Sequence, residues 1–365
     1  MQNSELIGWI IQRCNQVLFG NDKVDAIELN KVNLDRALSL ASLHGMLPVL
    51  MQNIEKCKVA DTETRKVIIK WYAVSEKAKI SYKFRLSLME QLALEFKKAS
   101  LDVMFLKGAS LANFYPTPEC RVFSDIDYYM FGKSKESVGI LKRMGIKTEE
   151  YFNHHTQATF NGVLLENHYD FLDIDNHQSN QLLDEELKHL ALKEGKKYPF
   201  NFENATIDNA YCMSPTMNAI FLIRHMAGHF FAESVSLRMM YDWALFLDKD
   251  SAKVDWDNVT MLYDRSGLTT FVKIVQGVLA EFFGLNFEHC PITPERVEIV
   301  ERVWDSILNP PAQNPHRYNT LSYLSYETKV FITNRWKHHL VYPDESYWKL
   351  FASYVSSYLK KKLHV

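Results

Sequence analysis

The sequence predicts an α+β protein in which a small mixed β-sheet is flanked by helices on both sides. In residues 1–99 apolar side chains recur at three- and four-residue spacing, the period of an amphipathic helix. In residues 100–212 they form short runs separated by glycine and proline, as in strands and turns. The helical period returns in residues 213–365. We therefore predict an N-terminal helical subdomain, an α+β core and a C-terminal helical subdomain with these boundaries.

The helical period of the N-terminal part is clearest at its two ends. Leu6, Ile10 and Val17 recur on one face near the start of the chain. A longer apolar stripe follows at Ile80, Phe84, Leu88, Leu92 and Phe96. A stripe of this kind is ordinarily the face that a helix buries.

The first half of the predicted core is a strand, a turn and a second strand. Residues 103–106 form a buried apolar run that leads into Lys107-Gly108. A short helix through Asn113 and a proline-containing loop then connect to a strand at 125–130.

The second half of the core is a helix followed by a hairpin. Ser134 is the predicted N-cap of the helix, and Gly145 is its predicted stop. Strands at 156–160 and 163–168 flank an Asn-Gly dipeptide, which is typical of a two-residue hairpin turn.

The C-terminal part is predicted to begin with a helix at Ser214-Pro215, because proline is favoured in a first helical turn. A proline-rich loop at 309–315 interrupts the later helices. The last helix, 344–363, has a stripe that we interpret as core or as a face for a partner helix. The stripe consists of Trp348, Phe351, Val355 and Leu359.

Composition argues against several classes of protein. Apolar residues make up 47% of the chain and aromatic residues 13%, as in a globular protein rather than a disordered one. A net charge of −2 without a basic stripe disfavours a nucleic-acid partner. The five cysteines lack metal-binding spacing, so we expect reduced thiols in a cytoplasmic protein. We find no signal peptide or membrane-spanning run.

An Asp-Ile-Asp motif in the second predicted strand carries the clearest chemical signal. Side chains alternate along a strand, so Asp125 and Asp127 project from one face while Ile126 and Tyr128 take the other. Two carboxylates this close repel each other unless a cation lies between them. Mg²⁺ prefers such oxygen ligands together with substrate phosphates. Alone, the motif is more typical of a solvated strand end.

Two further features strengthen the metal interpretation. Upstream, a strand runs into Gly108 and Ser110 at the head of a short helix, where backbone amides can approach phosphate. Downstream, the second hairpin strand supplies Glu166 as a third carboxylate, with His168 on the same face.

Two other patterns are interpreted as structural. Asp173-Ile174-Asp175 repeats the acid-apolar-acid pattern without a preceding glycine turn, so it is predicted to be a loop or strand end. His225 and His229 are four residues apart on a predicted helix, but no third ligand is evident. We therefore predict packing or polar contacts there rather than zinc.

The chain resembles the uncharacterised nucleotidyltransferase family of bacteria, within the DNA polymerase β-like superfamily. The resemblance rests on five core segments and on a pattern in the C-terminal helices. The core segments are Leu106-Lys107-Gly108, Tyr115-Pro116-Thr117-Pro118, Arg121, Ser124-Asp125-Ile126-Asp127 and Glu166-Asn167-His168. The helical pattern is His225, His229, Leu237-Arg238 and Asp242. Together they cover roughly residues 80–250.

The resemblance implies a role for each of these residues. The metal ligands for Mg²⁺ or Mn²⁺ are Asp125, Asp127 and Glu166. The residues that bind the NTP are Lys107, Gly108, Ser110 and Arg121. The acceptor-side positions are His168, His225, His229, Arg238 and Asp242. By spacing alone, Arg238 and Asp242 are a helix-surface ion pair.

We therefore predict an enzyme that passes a nucleoside monophosphate from an NTP to a hydroxyl or similar group of a small-molecule or protein acceptor. The alternative is a non-catalytic nucleotide-binding or partner-docking protein, because the usual Gly-Ser of the superfamily is Gly108-Ala109 here. Replacing Asp127 by alanine is expected to abolish Mg²⁺-dependent turnover. The melting temperature should stay unchanged or rise slightly, since like-charge repulsion is relieved.

Overall fold

A seven-stranded mixed sheet forms the centre of the computed structural model, which describes residues 2–20, 29–57, 61–152, 154–202, 206–295, 297–309 and 320–363. The strands are β1 (Val103–Phe105), β2 (Asp125–Tyr129), β3 (Thr148–Phe152), β4 (His155–Phe160), β5 (Val163–His168), β6 (Pro199–Asn201) and β7 (Thr206–Cys212). Their order across the sheet is β3-β4-β5-β2-β1-β7-β6. The β2–β5 and β1–β7 pairs are parallel, and the other neighbours are antiparallel. The predicted α+β class is confirmed.

Helices precede, interrupt and follow the strands. Before β1 lie α1 (Asn3–Leu18), α2 (Lys31–Leu43), α3 (Leu47–Ile54) and α4 (Thr62–Lys98). Between strands lie α5 (Ala109–Ala112), α6 (Ser134–Arg143) and α7 (Ser179–Glu194). After β7 come α8 (Pro215–Ala232), α9 (Leu237–Asp250), α10 (Trp256–Arg265), α11 (Thr269–Phe282), α12 (Val297–Leu308), α13 (Thr320–Thr333), α14 (Arg335–Val341) and α15 (Tyr347–Leu363). The division into subdomains at residues 99 and 212 stays a prediction.

The predicted hairpin and two predicted helix ends are confirmed. Asn161 and Gly162 join β4 to β5 with φ angles of +48° and +80°, as a two-residue turn requires. Ser214 caps α8 by accepting a hydrogen bond from the amide of Met217 at 3.2 Å. Gly145 follows the end of α6 with a φ of +76°.

The predicted cap of α6 is wrong by one position. Lys133 is the N-cap, and Ser134 is already the first helical residue. The carbonyl of Ser134 accepts hydrogen bonds from the Ser137 hydroxyl and the Asn167 amide, both at 2.9 Å. The contact to Asn167 on β5 and the one within the helix position the first turn without a side-chain cap.

The sheet has two unlike faces. One face, with Ile126 and Tyr128, packs into a core shared with the later turns of α4 and with α6. The other face, with Tyr129, packs into the larger core that contains α7, α8 and α9. Because side chains alternate along β2, Asp125 and Asp127 lie on the face of Tyr129, toward the C-terminal helices.

The first three helices pack into this larger core although they are distant in sequence from α9 and α11. The Tyr241 hydroxyl on α9 donates hydrogen bonds to the carbonyl of Ile11 at 3.2 Å and to Oδ1 of Asn15 at 2.9 Å. The Asn15 side-chain amide in turn donates to the carbonyl of Phe283 at 2.8 Å. The N-terminal helices therefore support the helices that cover the sheet.

The apolar stripe predicted on α4 is buried only in its second half. Leu88, Leu92 and Phe96 are at most 3% exposed, whereas Ile80 is 66% and Phe84 43% exposed. The difference arises because only the later turns of α4 contribute fully to the core of the sheet.

The C-terminal predictions are resolved in part. Apart from Asn309, the predicted loop at 309–315 lies outside the described residues. Of the stripe on α15, Trp348 is 58% exposed and Phe351 packs against Phe331 at 4.8 Å between ring centroids. The side chain of Leu359 lies outside the described set. Among the described helices, none combines the length and apolar character that a membrane span requires.

Candidate functional site

Strand pairing brings two of the predicted carboxylates side by side. In the parallel β2–β5 pair, Asp127 lies directly opposite Glu166, and Asp125 lies opposite Leu164. Paired residues of neighbouring strands point to the same side of a sheet, so both acids face the C-terminal helices. Asp127 is only 5% exposed, and Asp125 is half-buried at the start of the strand.

Asp127 is held by two basic side chains. Lys107 Nζ lies 3.0 Å from Asp127 Oδ1, and His168 Nε2 lies 3.1 Å from the same oxygen. Burial alone would raise the pKa of Asp127, but the charge of Lys107 and the hydrogen bond to His168 hold it well below its usual range. Asp127 is therefore a charged carboxylate with a compensating partner.

This ion pair overturns one sequence-based expectation. The stability of an Asp127→Ala variant was expected to be unchanged or raised on the premise that the carboxylates are unpaired. In the structure, removing Asp127 leaves the Lys107 ammonium, 17% exposed, without its partner. A buried charge without a partner is strongly destabilising, so the expected sign is reversed.

Glu166 completes a group that fits a divalent cation. Burial and, next, the negative charge of Asp127 raise the pKa of Glu166 above its usual value. One ligand atom each from Asp127, Glu166 and His168 lies within 4.8 Å of the other two. Two neighbouring carboxylates favour a cation between them, and carboxylate oxygens are the ligands that Mg²⁺ prefers.

The turn after β1 requires glycine. Gly108 has φ +56° and ψ −120°, and a Cβ atom there would lie 3.0 Å from Cδ2 of Phe123. The Ser110 hydroxyl donates a hydrogen bond to the carbonyl of Phe105 at 2.9 Å. The predicted role of Gly108 and Ser110 in binding the NTP stays a prediction.

Arg121 lies in the interior, 2% exposed, and pairs with a helix of the C-terminal part. Its Nε and Nη2 each lie 2.8 Å from an oxygen of Asp242 on α9. Its Nη1 donates to the carbonyl of Gly108 at 2.9 Å. The structure thus gives Arg121 a role in joining the glycine turn to α9.

The predicted ion pair between Arg238 and Asp242 is present, but its placement at the helix surface is wrong. Asp242 is only 5% exposed and takes its closest contacts from Arg121 and the Tyr115 hydroxyl. Arg238 Nη1 lies 3.6 Å from Asp242 Oδ2. The reason is that this face of α9 packs against the connection between α5 and β2, which carries Tyr115 and Arg121.

His225 and His229 lie on α8 within electrostatic reach of Lys107. Their ring centroids are 4.5 Å apart, and the ring of His225 stacks on Phe221 at 5.8 Å. Burial and then the charge of Lys107 lower the pKa of both histidines. Both are thus kept neutral beside the sheet face that carries Asp127, and their acceptor-side role stays a prediction.

The sequence analysis missed two histidines that belong to this region. His155 pairs directly with His168 across the β4–β5 hairpin, and His154 precedes it. Burial, followed by the charge of His168, lowers the pKa of His154 to about 3 and that of His155 to about 4. The signal was available, because a two-residue turn at 161–162 places position 155 opposite 168.

Asp173 belongs to the second acid-apolar-acid pattern, which was predicted to be a loop or strand end. It lies in a loop, and its carboxylate accepts hydrogen bonds from the backbone amide of Asn176 at 3.1 Å and from its side-chain amide at 2.8 Å. The prediction of a loop is confirmed.

Comparison with known proteins gives one sequence-based match and two similar structures. Residues 30–284 match a family described as "Uncharacterised nucleotidyltransferase". The antibiotic-resistance factor ANT(2'')-Ia is 13% identical over 50% of this chain and 90% of that chain, with a TM-score of 0.33. An antigenic nucleotidyltransferase-like protein from Paracoccidioides brasiliensis is 11% identical over 55% of this chain and 93% of that chain, with a TM-score of 0.34. A search of curated proteins finds no match.

Proposed function

The chain belongs to the uncharacterised nucleotidyltransferase family, and on that premise we propose that it transfers a nucleoside monophosphate from an NTP to an acceptor, releasing pyrophosphate. The acceptor group is a hydroxyl or a similar nucleophile on a small molecule or a protein. The enzyme is proposed to act in the cytoplasm, in keeping with its five free cysteines.

The observation that carries the proposal is the pairing of Asp127 with Glu166 on adjacent parallel strands, with Lys107 Nζ 3.0 Å from Asp127. Asp127 and Glu166, with Asp125 at the start of β2, would hold Mg²⁺ or Mn²⁺. Bound there, such an ion would supply positive charge to compensate the charge of the triphosphate.

The chain's own residues supply the remaining functions. The backbone of the Gly108 turn can approach phosphate oxygens closely, since glycine has no side chain. Lys107 lies on the same sheet face and can add positive charge beside the phosphates. A carboxylate of this group would accept the proton of the acceptor hydroxyl.

The acceptor is proposed to lie between the sheet and α8. The support is that His225 and His229 interact electrostatically with Lys107 and with Arg238 on α9. A polymer acceptor is disfavoured, because a chain with net charge −2 gains little from the release of counterions around nucleic acid.

Calorimetry and a pyrophosphate-release assay test this function together. ATP, GTP, CTP and UTP are titrated with and without Mg²⁺, and release is then measured with a panel of hydroxyl acceptors. We expect Mg²⁺-dependent binding and release in the wild type, and loss of release in Asp127→Asn. Asp175→Asn is the matched control, since it alters an exposed acid of the second acid-apolar-acid pattern.

Binding without release across the whole panel would support the alternative, a non-catalytic nucleotide-binding or partner-docking protein. Absence of nucleotide binding in the wild type would contradict nucleotidyl transfer and leave, of the alternative, only the partner-docking protein.

A further inference from the structure

Three histidines form a close cluster at the open end of the β4–β5 hairpin. The centroid of the His154 ring lies 4.7 Å from that of His155 and 5.2 Å from that of His168. The His155 and His168 centroids are 5.3 Å apart. One ring nitrogen from each lies within 4.8 Å of the other two. The hairpin therefore gathers three imidazoles around one small volume.

Hydrogen bonding within the cluster is incomplete. Nδ1 of His154 and Nδ1 of His155 are buried, and neither has a hydrogen-bond partner among the described residues. An unmade hydrogen bond at a buried polar atom costs free energy. A cation that accepts the nitrogen lone pairs would remove this penalty.

In His155 and His168, one ring nitrogen already lies near a polar group. His168 Nδ1 lies 3.3 Å from the carbonyl of Asp170. His155 Nε2 lies 3.6 Å from Oε1 of Glu166. In metal-binding histidines the second nitrogen usually faces a carbonyl or carboxylate oxygen in this way, which orients the ring.

We propose that His154, His155 and His168 bind a transition-metal ion, with Zn²⁺ the preferred ion. Imidazole nitrogen suits Zn²⁺, Co²⁺ and Ni²⁺, whereas Mg²⁺ selects oxygen, so this site differs chemically from the carboxylate site beside it. Three protein nitrogens leave a fourth tetrahedral position for water.

The two sites share one residue. His168 Nε2 lies 3.1 Å from Oδ1 of Asp127, so an ion held by the histidines changes the surroundings of that carboxylate. Binding of the ion is measured without nucleotide, so this inference and the proposed function can fail separately.

The test uses Co²⁺ as a spectroscopic probe on the full chain after treatment with a chelator. We expect one equivalent of Co²⁺ to give the strong visible absorption of a four-coordinate site, and Zn²⁺ to displace it. His154→Gln and His155→Gln, each made separately, should weaken Zn²⁺ binding by more than about tenfold.

Two controls separate ligation from other effects. His189→Gln removes an exposed histidine on α7 and should bind like the wild type. Circular dichroism and melting in chelator should show that both cluster variants fold, and a variant that does not fold is replaced by the other. Unchanged Co²⁺ spectra and Zn²⁺ affinity in the folded cluster variants, or no Co²⁺ absorption in the wild type, would overturn the proposal.

Discussion

Arg121 and Asp242 form a bidentate ion pair in the interior of the protein, although 121 residues separate them in sequence. Both are buried, at 2% and 5% exposure. Around them, the Tyr115 hydroxyl donates to Asp242 at 2.9 Å, and Arg121 Nη1 donates to the carbonyl of Gly108 at 2.9 Å. The pair thus connects α9 to the Gly108 turn beside the carboxylates. Its removal is therefore expected to disturb the positions of α9 and of that turn.

Asp242→Asn should lower the free energy of unfolding by about 3–5 kcal/mol, because the Arg121 guanidinium then stays buried without a counter-charge. Urea denaturation measures the change. Asp248→Asn is the matched control on the same helix, where the side chain is exposed and an effect within about 0.5 kcal/mol is expected. Equal losses in the two variants would show that the ion pair contributes no particular stability.

Asp127→Asn and Asp125→Asn should separate catalysis from stability. Both are expected to lose pyrophosphate release. Only Asp127→Asn should also lower the melting temperature, because it leaves Lys107 unpaired. The free energy of unfolding of Asp127→Asn should fall by an amount near the lower end of about 3–5 kcal/mol, since Lys107 is 17% exposed. A melting temperature of Asp127→Asn at or above that of the wild type would contradict the role of the Lys107 pair.

Gly108→Ala should destabilise the protein by about 1–3 kcal/mol and reduce nucleotide affinity. The backbone φ of +56° strains any residue with a Cβ, and the new methyl group would meet Phe123 at 3.0 Å. Gly8→Ala is the control, since Gly8 lies within α1 with open space around it. Gly8→Ala should raise the free energy of unfolding by about 0.5–1 kcal/mol. Denaturation curves of the two variants that shift in the same direction would contradict this account.

Lys337 should make stability depend on pH above neutrality. It is 3% exposed, its ammonium donates to the carbonyl of Glu233 at 3.3 Å, and burial lowers its pKa to about 8. In the unfolded chain the pKa is about 10.4. Between these values the unfolded state binds the proton and the folded state does not, so the contribution of Lys337 to stability rises with pH there.

Lys337→Met should therefore be more stable than the wild type at pH values below about 8, by about 1–3 kcal/mol. This advantage should shrink as the pH rises toward about 10. Urea denaturation across this range measures it, with Lys349→Met as an exposed control on α15. A constant difference between Lys337→Met and the wild type at every pH would contradict the assigned pKa.

Local patterns were sufficient for the parts of the fold that depend on neighbouring residues. The Asn161-Gly162 turn determined the hairpin, because few other dipeptides adopt positive φ at both positions. The alternation of Asp125 and Asp127 with Ile126 and Tyr128 determined which residues share a face. Ser134 shows the limit of this reasoning, since Lys133 and Ser134 differ by one position in a cap that no side chain marks.

By itself, then, the sequence determined the α+β class, the hairpin, the glycine turn and the acids in the strands. It did not predict β3, β6 or β7, and it placed Asp242 at the surface. Only the tertiary structure decided that β2 pairs in parallel with β5, so that Asp127 faces Glu166, and that β1 pairs with β7. The physical reason is that strand order and the burial of charges depend on contacts between segments that are distant in sequence. The free energy of such contacts cannot be inferred from the spacing of neighbouring residues.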